Sequence, residues 1–142
     1  MKRLLIGLAA VAAVSGPAYA AETELCPASI ETQQSVKSAP YPFRAVAVAR
    51  VSQLMGLTFF DGDPKDEASL APDDEVKSGG KIVSTWSFPP GNARGTYLQC
   101  AFTDTTIVLQ RKLEAAITKC AVTYDAHEEV GGLPAILKID CK

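Results

Sequence analysis

From residue 81 to residue 141, apolar and polar side chains alternate in five short segments. Ile82, Trp86 and Phe88 share one side of Lys81 to Phe88, and Leu98, Cys100 and Phe102 share one side of Thr96 to Phe102. Ile107, Leu109 and Leu113 do the same in Thr106 to Leu113. Cys120, Val122 and Tyr124 continue the pattern, and Leu137, Ile139 and Cys141 end it. A period of two is the mark of strands with one face in a core and the other in water.

The connections predict a pairing. Pro89-Pro90-Gly91-Asn92-Ala93-Arg94-Gly95 reads as a hairpin turn that sets Trp86 opposite Leu98 and Ile82 opposite Phe102. A tighter turn at Thr103-Asp104-Thr105 sets Phe102 against Ile107 and Cys100 against Leu109. A last hairpin, turning through His127 to Pro134, places Tyr124 opposite Leu137, Val122 opposite Ile139 and Cys120 opposite Cys141. A slip of one residue would move each of these side chains to the wrong face.

The preceding residues are less regular. Pro27 to Val36 reads as a strand with Ile30, Thr32, Gln34 and Val36 on one side, ended by Pro40 and Pro42. Phe43 to Met55 fits neither period cleanly. Phe43, Val46, Ala47, Val51, Leu54 and Met55 suit a short helix, the favoured reading, with Arg44 and Ser52 on the other side and Gly56 as the stop. Val46, Val48 and Val51 also suit a buried strand. Leu57-Thr58-Phe59-Phe60 reads as a strand with Leu57 and Phe59 on one face.

Lys2 and Arg3, the apolar run Leu4 to Val14 and the small-residue site Ala18-Tyr19-Ala20 form a secretory signal, expected to be cut after Ala20. The apolar run is about half the roughly 20 residues that a spanning helix needs. Thr23-Glu24-Leu25 before Cys26 does not suit a lipoprotein signal. Residues 21–142 are then one domain, exported to the periplasm or secreted. Cleavage removes two basic residues from a chain of formal net charge −2. With no basic cluster, neither nucleic acid nor an anionic lipid surface is an expected partner.

Four cysteines in an exported chain read as two disulfides. The register of the last hairpin favours Cys120 with Cys141, leaving Cys26 for Cys100. Because a bond across neighbouring strands is geometrically demanding, Cys100 with Cys120 and Cys26 with Cys141 remains the alternative.

The most polar stretch is Asp61 to Glu75, where Asp61, Asp63, Asp66, Glu67, Asp73, Asp74 and Glu75 stand against Lys65 alone. Clustered oxygen ligands suit a hard cation such as Ca²⁺. Here Lys65 sits where a third ligand belongs and Asp66 replaces the turning glycine, so a solvated loop with Asp63 capping one turn before Pro64 is the favoured reading. Asp125, His127 and Glu129 alternate and could converge on a divalent metal, but zinc sites normally draw on more than one His or Cys. His127 is the only histidine, and no serine or cysteine nucleophile is marked out beside a base. Trp86 reads as core. Tyr97 falls on the polar face and is a weak candidate for a binding platform, since scattered exposed aromatics are ordinary.

The motifs Cys26-Pro27-Ala28-Ser29-Ile30, Thr58-Phe59-Phe60-Asp61-Gly62 running to Ala68-Ser69-Leu70-Ala71-Pro72-Asp73, and Thr85-Trp86-Ser87-Phe88 point one way. So do Tyr97-Leu98-Gln99-Cys100, Cys120-Ala121-Val122-Thr123-Tyr124-Asp125 and a cysteine near the chain's end. Together they resemble a family of short exported proteins of Gram-negative bacteria with no assigned activity. Residues 37–55 match it least. The resemblance implies a periplasmic or secreted location and four structural cysteines, and it brings no catalytic residues.

The expected fold is mainly β: a small antiparallel sandwich or curled sheet of six to seven strands with at most one short helix and two disulfides. The expected function is a non-catalytic binding module without cofactor, docking on another exported protein through the loops at 61–75, 89–95 and 126–134. The alternative is a metal-binding protein or metal-dependent hydrolase using the acidic loop or the His127 loop.

Overall fold

The computed structural model describes residues 24–142. The signal-peptide expectation at residues 1–20 lies outside the described residues. Nine strands form two antiparallel sheets. The first runs in the order β1 (Ser29–Gln33), β2 (Ala49–Asp61), β6 (Thr96–Phe102), β7 (Val108–Lys112), with β3 (Ser69–Leu70) pairing with β2 near its far end. The second runs β4 (Asp74–Ser78), β5 (Lys81–Ser87), β8 (Lys119–Val130), β9 (Leu133–Cys141).

The inward faces are the alternating sets that the sequence marks. Phe59, Leu98, Cys100 and Phe102 from the first sheet meet Trp86, Cys120 and Val122 from the second, with Cys26, Phe88 and Leu113 completing the core. Phe59 is fully enclosed, its ring centroid 5.0 Å from that of Trp86 and 5.3 Å from that of Phe88. Trp86 also donates its indole N–H to the Leu70 carbonyl at 3.1 Å, which ties short strand β3 to the opposite sheet.

The expected Trp86–Leu98 hairpin does not form. Pro89-Pro90 supplies no backbone N–H for a ladder, and the chain crosses here from one sheet to the other. The apolar faces of β5 and β6 therefore meet across the core, and the hydrogen-bonded neighbours of β5 are β4 and β8. The tighter turn is as expected, with Cys100 opposite Leu109. Because β7 is an outer strand, Ile107 and Leu109 stay 43% and 40% exposed.

No helix occupies 43–55. Residues 43–48 are irregular, and β2 runs on through Gly56. A β-bulge between Leu54 and Gly56 resets the register against β6. Ser52 and Leu54 pack inward before it, Leu57 and Phe59 after it, so the inward parity changes from even to odd. Fully buried Ser52 is satisfied by the Thr32 hydroxyl at 3.1 Å.

The last hairpin keeps Cys120 opposite Cys141 and Val122 opposite Ile139, but Tyr124 faces Ile136 rather than Leu137. A bulge on β9 turns Leu137 outward, where it is 49% exposed. The favoured disulfides are the observed ones, Cys26–Cys100 and Cys120–Cys141.

Among the described residues the strand count exceeds the expected six to seven because β3 lies inside the stretch 61–75 expected to be loop and β4 begins in it. Within it, the capped turn is present: Asp63 accepts from the Lys65 amide at 3.0 Å ahead of a 3₁₀ turn at Pro64–Asp66. Gly79-Gly80 is a tight hairpin turn between β4 and β5, and Gly131-Gly132 closes β8 onto β9. All four glycines have positive φ, as two-residue hairpin turns demand.

Candidate partner-binding surface

The loops expected to form one docking face are divided between opposite ends of the molecule. Residues 61–67 and 89–95 pack together at the end where β2 and β5 finish. The Gly62 amide donates to the Gly95 carbonyl at 2.8 Å, and Asn92 Nδ2 donates to Asp61 Oδ1 at 2.7 Å. The β8–β9 turn lies at the other end, beyond the Lys81–Asp125 pair where β5 begins.

At the first end, Arg94 reaches both Asp61 and Asp66 at 3.5 Å. Asp63 is held below the ordinary carboxylate value of 3.8, chiefly by the Lys65 amide hydrogen bond. These three carboxylates are thus engaged by a guanidinium and by the backbone of their own turn. Arg94 is not marked out by the sequence pattern, although a lone arginine in a turn beside an acidic stretch was the available signal.

The expected loop at 126–134 is mostly strand. Residues 125–128 bulge out of β8 opposite Ala135 alone. Asp125 organises the bulge, its Oδ1 accepting from the His127 amide at 2.8 Å and the Glu128 amide at 3.2 Å. The first of these bonds is the main reason its pKa is lowered. The His127 ring lies over Gly80, where an added β-carbon would stand 3.0 Å from Nε2. Glu129 is exposed and pairs across to Pro134. Among the described residues, no three His, Cys, Asp or Glu side chains are grouped to hold a metal ion.

Tyr97 lies on the outer face of the first sheet, half-buried between Phe60 and Lys112 in register, with the Lys112 ammonium 5.9 Å from its ring centre. Further rows, Thr58–Gln99–Gln110 and Gly56–Ala101–Val108, continue this face with no charged side chain.

Two recesses lie elsewhere. One of about 420 Å³ runs between the N-terminal segment, β2 and β9, and is lined by Leu25, Leu54, Val130, Ile136 and Ile139 with Lys138 among them. The other, about 280 Å³, lies at the base of the β1–β2 connection. That connection, residues 34–48, leaves Tyr41, Phe43, Val46 and Val48 exposed. The helix expected over part of it is absent. Its failure to fit either period was the signal that it packs against nothing.

Fold and surface define a small disulfide-linked β-sandwich with recesses and an apolar loop on its exterior. The chain belongs to the family described as Type VI secretion system Tli immunity protein, which it matches over residues 49–142. This corrects the expectation of a family without an assigned role, because the family is one of immunity proteins. No curated protein and no solved structure matches the chain. Among the described residues, no helix is long and apolar enough to cross a membrane.

Proposed function

We propose that this protein is an exported immunity protein that binds a toxin effector of type VI secretion and neutralises it without chemistry of its own, in the periplasm. The observation that carries the reading is the family match, which spans β2 to β9 and so most of both sheets. Two disulfides suit an oxidising compartment. They also suit tight binding, because a scaffold cross-linked at its N-terminal segment and its last hairpin loses little freedom when it docks.

The test is a competition between siblings. A strain lacking this gene should be killed by attackers with an intact type VI apparatus and spared by attackers without it. Supplying the chain with its leader should restore survival. Equal survival of the parent and the deletion strain under attack would remove the reading.

A further inference from the structure

The connection between β1 and β2 is at the length where an irregular segment in a small domain is usually functional or a linker. It is not simply slack chain. Its base is the Gln33–Ala49 pair, Gln34 Nε2 donates to the Asp104 carbonyl at 2.8 Å, and the Phe43 amide donates to the Pro40 carbonyl at 2.8 Å. Yet its apolar side chains are turned to water: Tyr41 is 97% exposed, Phe43 74%, Val46 68%, Val48 61%, and Val51 just beyond it 68%.

A valine or phenylalanine side chain gains roughly 1.5–3 kcal/mol on full burial. Four such side chains held out of the core, with Tyr41 beside them, therefore mark a contact surface. Tyr, Phe and Arg are also the types that most often anchor protein interfaces. Charge narrows the partner. Exposed Glu31 pairs with Val51, and exposed Asp104 lines the recess beside Val46, Val48 and Arg50, but the loop itself holds no carboxylate and exposes Lys37 and Arg44, in a chain whose formal net charge is −2.

Position in the family supplies the third argument. The matched residues begin at 49, so the loop lies outside the matched stretch. An immunity protein must distinguish its own toxin from others, and an exposed loop outside the matched stretch is a place where such discrimination can reside.

We infer that residues 34–48, together with Val51, dock on the toxin effector, against a surface that is apolar and carries carboxylates facing Lys37 and Arg44. This rests on the immunity reading above. A protein is favoured over an anionic bilayer because lipid-binding segments use clusters of roughly four to eight basic residues or an amphipathic helix. This loop has two cations, Lys37 and Arg44, and no helix.

The experiment complements the deletion strain with wild type, with Tyr41→Ser/Phe43→Ser, or with Lys37→Glu/Arg44→Glu, and counts survivors under sibling attack. Both variants alter exposed side chains and should keep the wild-type Tm and both disulfides. Each should lower survival by about tenfold or more, the scale of one anchor's loss. Variants that match wild type in Tm and also in protection overturn the inference and leave the immunity reading standing. Failure of wild type to protect removes both. Sedimentation of wild type, but not Tyr41→Ser/Phe43→Ser, with phosphatidylglycerol vesicles would overturn the toxin as occupant.

Discussion

Phe59 sits at a junction of the core, its ring 5.0 Å from that of Trp86 in the facing sheet and 5.3 Å from that of Phe88 just past the end of β5. Phe59→Ala should cost about 3–5 kcal/mol in urea unfolding. A loss below about 1 kcal/mol would mean that the two sheets do not share this centre. Its inward position was legible in Leu57-Thr58-Phe59-Phe60. The partner was not, because alternation reports which face a side chain takes and not which strand lies beyond it. Asp125 is a second residue-scale case. Its spacing suggests a metal ligand, but it instead accepts two backbone amides at the bulge. Those bonds favour its ionised form, so its folded pKa lies below the ordinary 3.8. Its contribution to stability is fully present above about pH 3.8 and is lost as pH falls through the lower folded value. Asp125→Asn should therefore lower Tm near neutrality, with the gap to wild type closing in acid. A gap that widens in acid would contradict this role.

At the level of elements, irregularities in the ladders hid most of what the sequence did not show. The bulge before Gly56 switches the inward parity within one continuous strand, so residues 49–55 and 57–59 obey different phases and no single period fits them. Strand β4 was hidden differently. All its side chains are exposed, so Asp74-Glu75-Val76-Lys77-Ser78 shows no apolar alternation even though it pairs along its whole length with β5. The last hairpin was legible as far as Thr123 because regular pairing from Cys120 preserves phase. The two disulfides should differ in weight. Cys26–Cys100 spans 74 residues of sequence and Cys120–Cys141 spans 21. On the chain-entropy model they contribute about 4 and about 3 kcal/mol. Replacing Cys26 and Cys100 by alanine should thus lower the urea midpoint more than replacing Cys120 and Cys141. The reverse order would show that the cross-strand bond does more than restrict the unfolded chain.

For the whole molecule, the two ends differ in chemistry. One holds Asp61 and Asp66 around Arg94, with Asp63 on Lys65; the other holds the exposed apolar loop with Lys37 and Arg44. The acidic end was visible in the sequence as a charge run. The apolar end was marked only by a run that fits neither period, because exposed valines in a run otherwise look like a buried element until the structure shows that nothing covers them. Surface ion pairs such as Arg94–Asp61 add little stability, so the contrast matters for recognition rather than folding. The proposed function is neutralisation by binding. Its most direct test mixes the oxidised chain with the purified effector whose delivery kills the deletion strain, and follows complex mass and toxin activity across a titration. The expected result is a stable complex of fixed stoichiometry, activity lost in proportion to occupancy, and a toxin recovered chemically unchanged and active after dissociation. Inactivation by substoichiometric amounts of this protein, or a toxin recovered cleaved or modified, would contradict it.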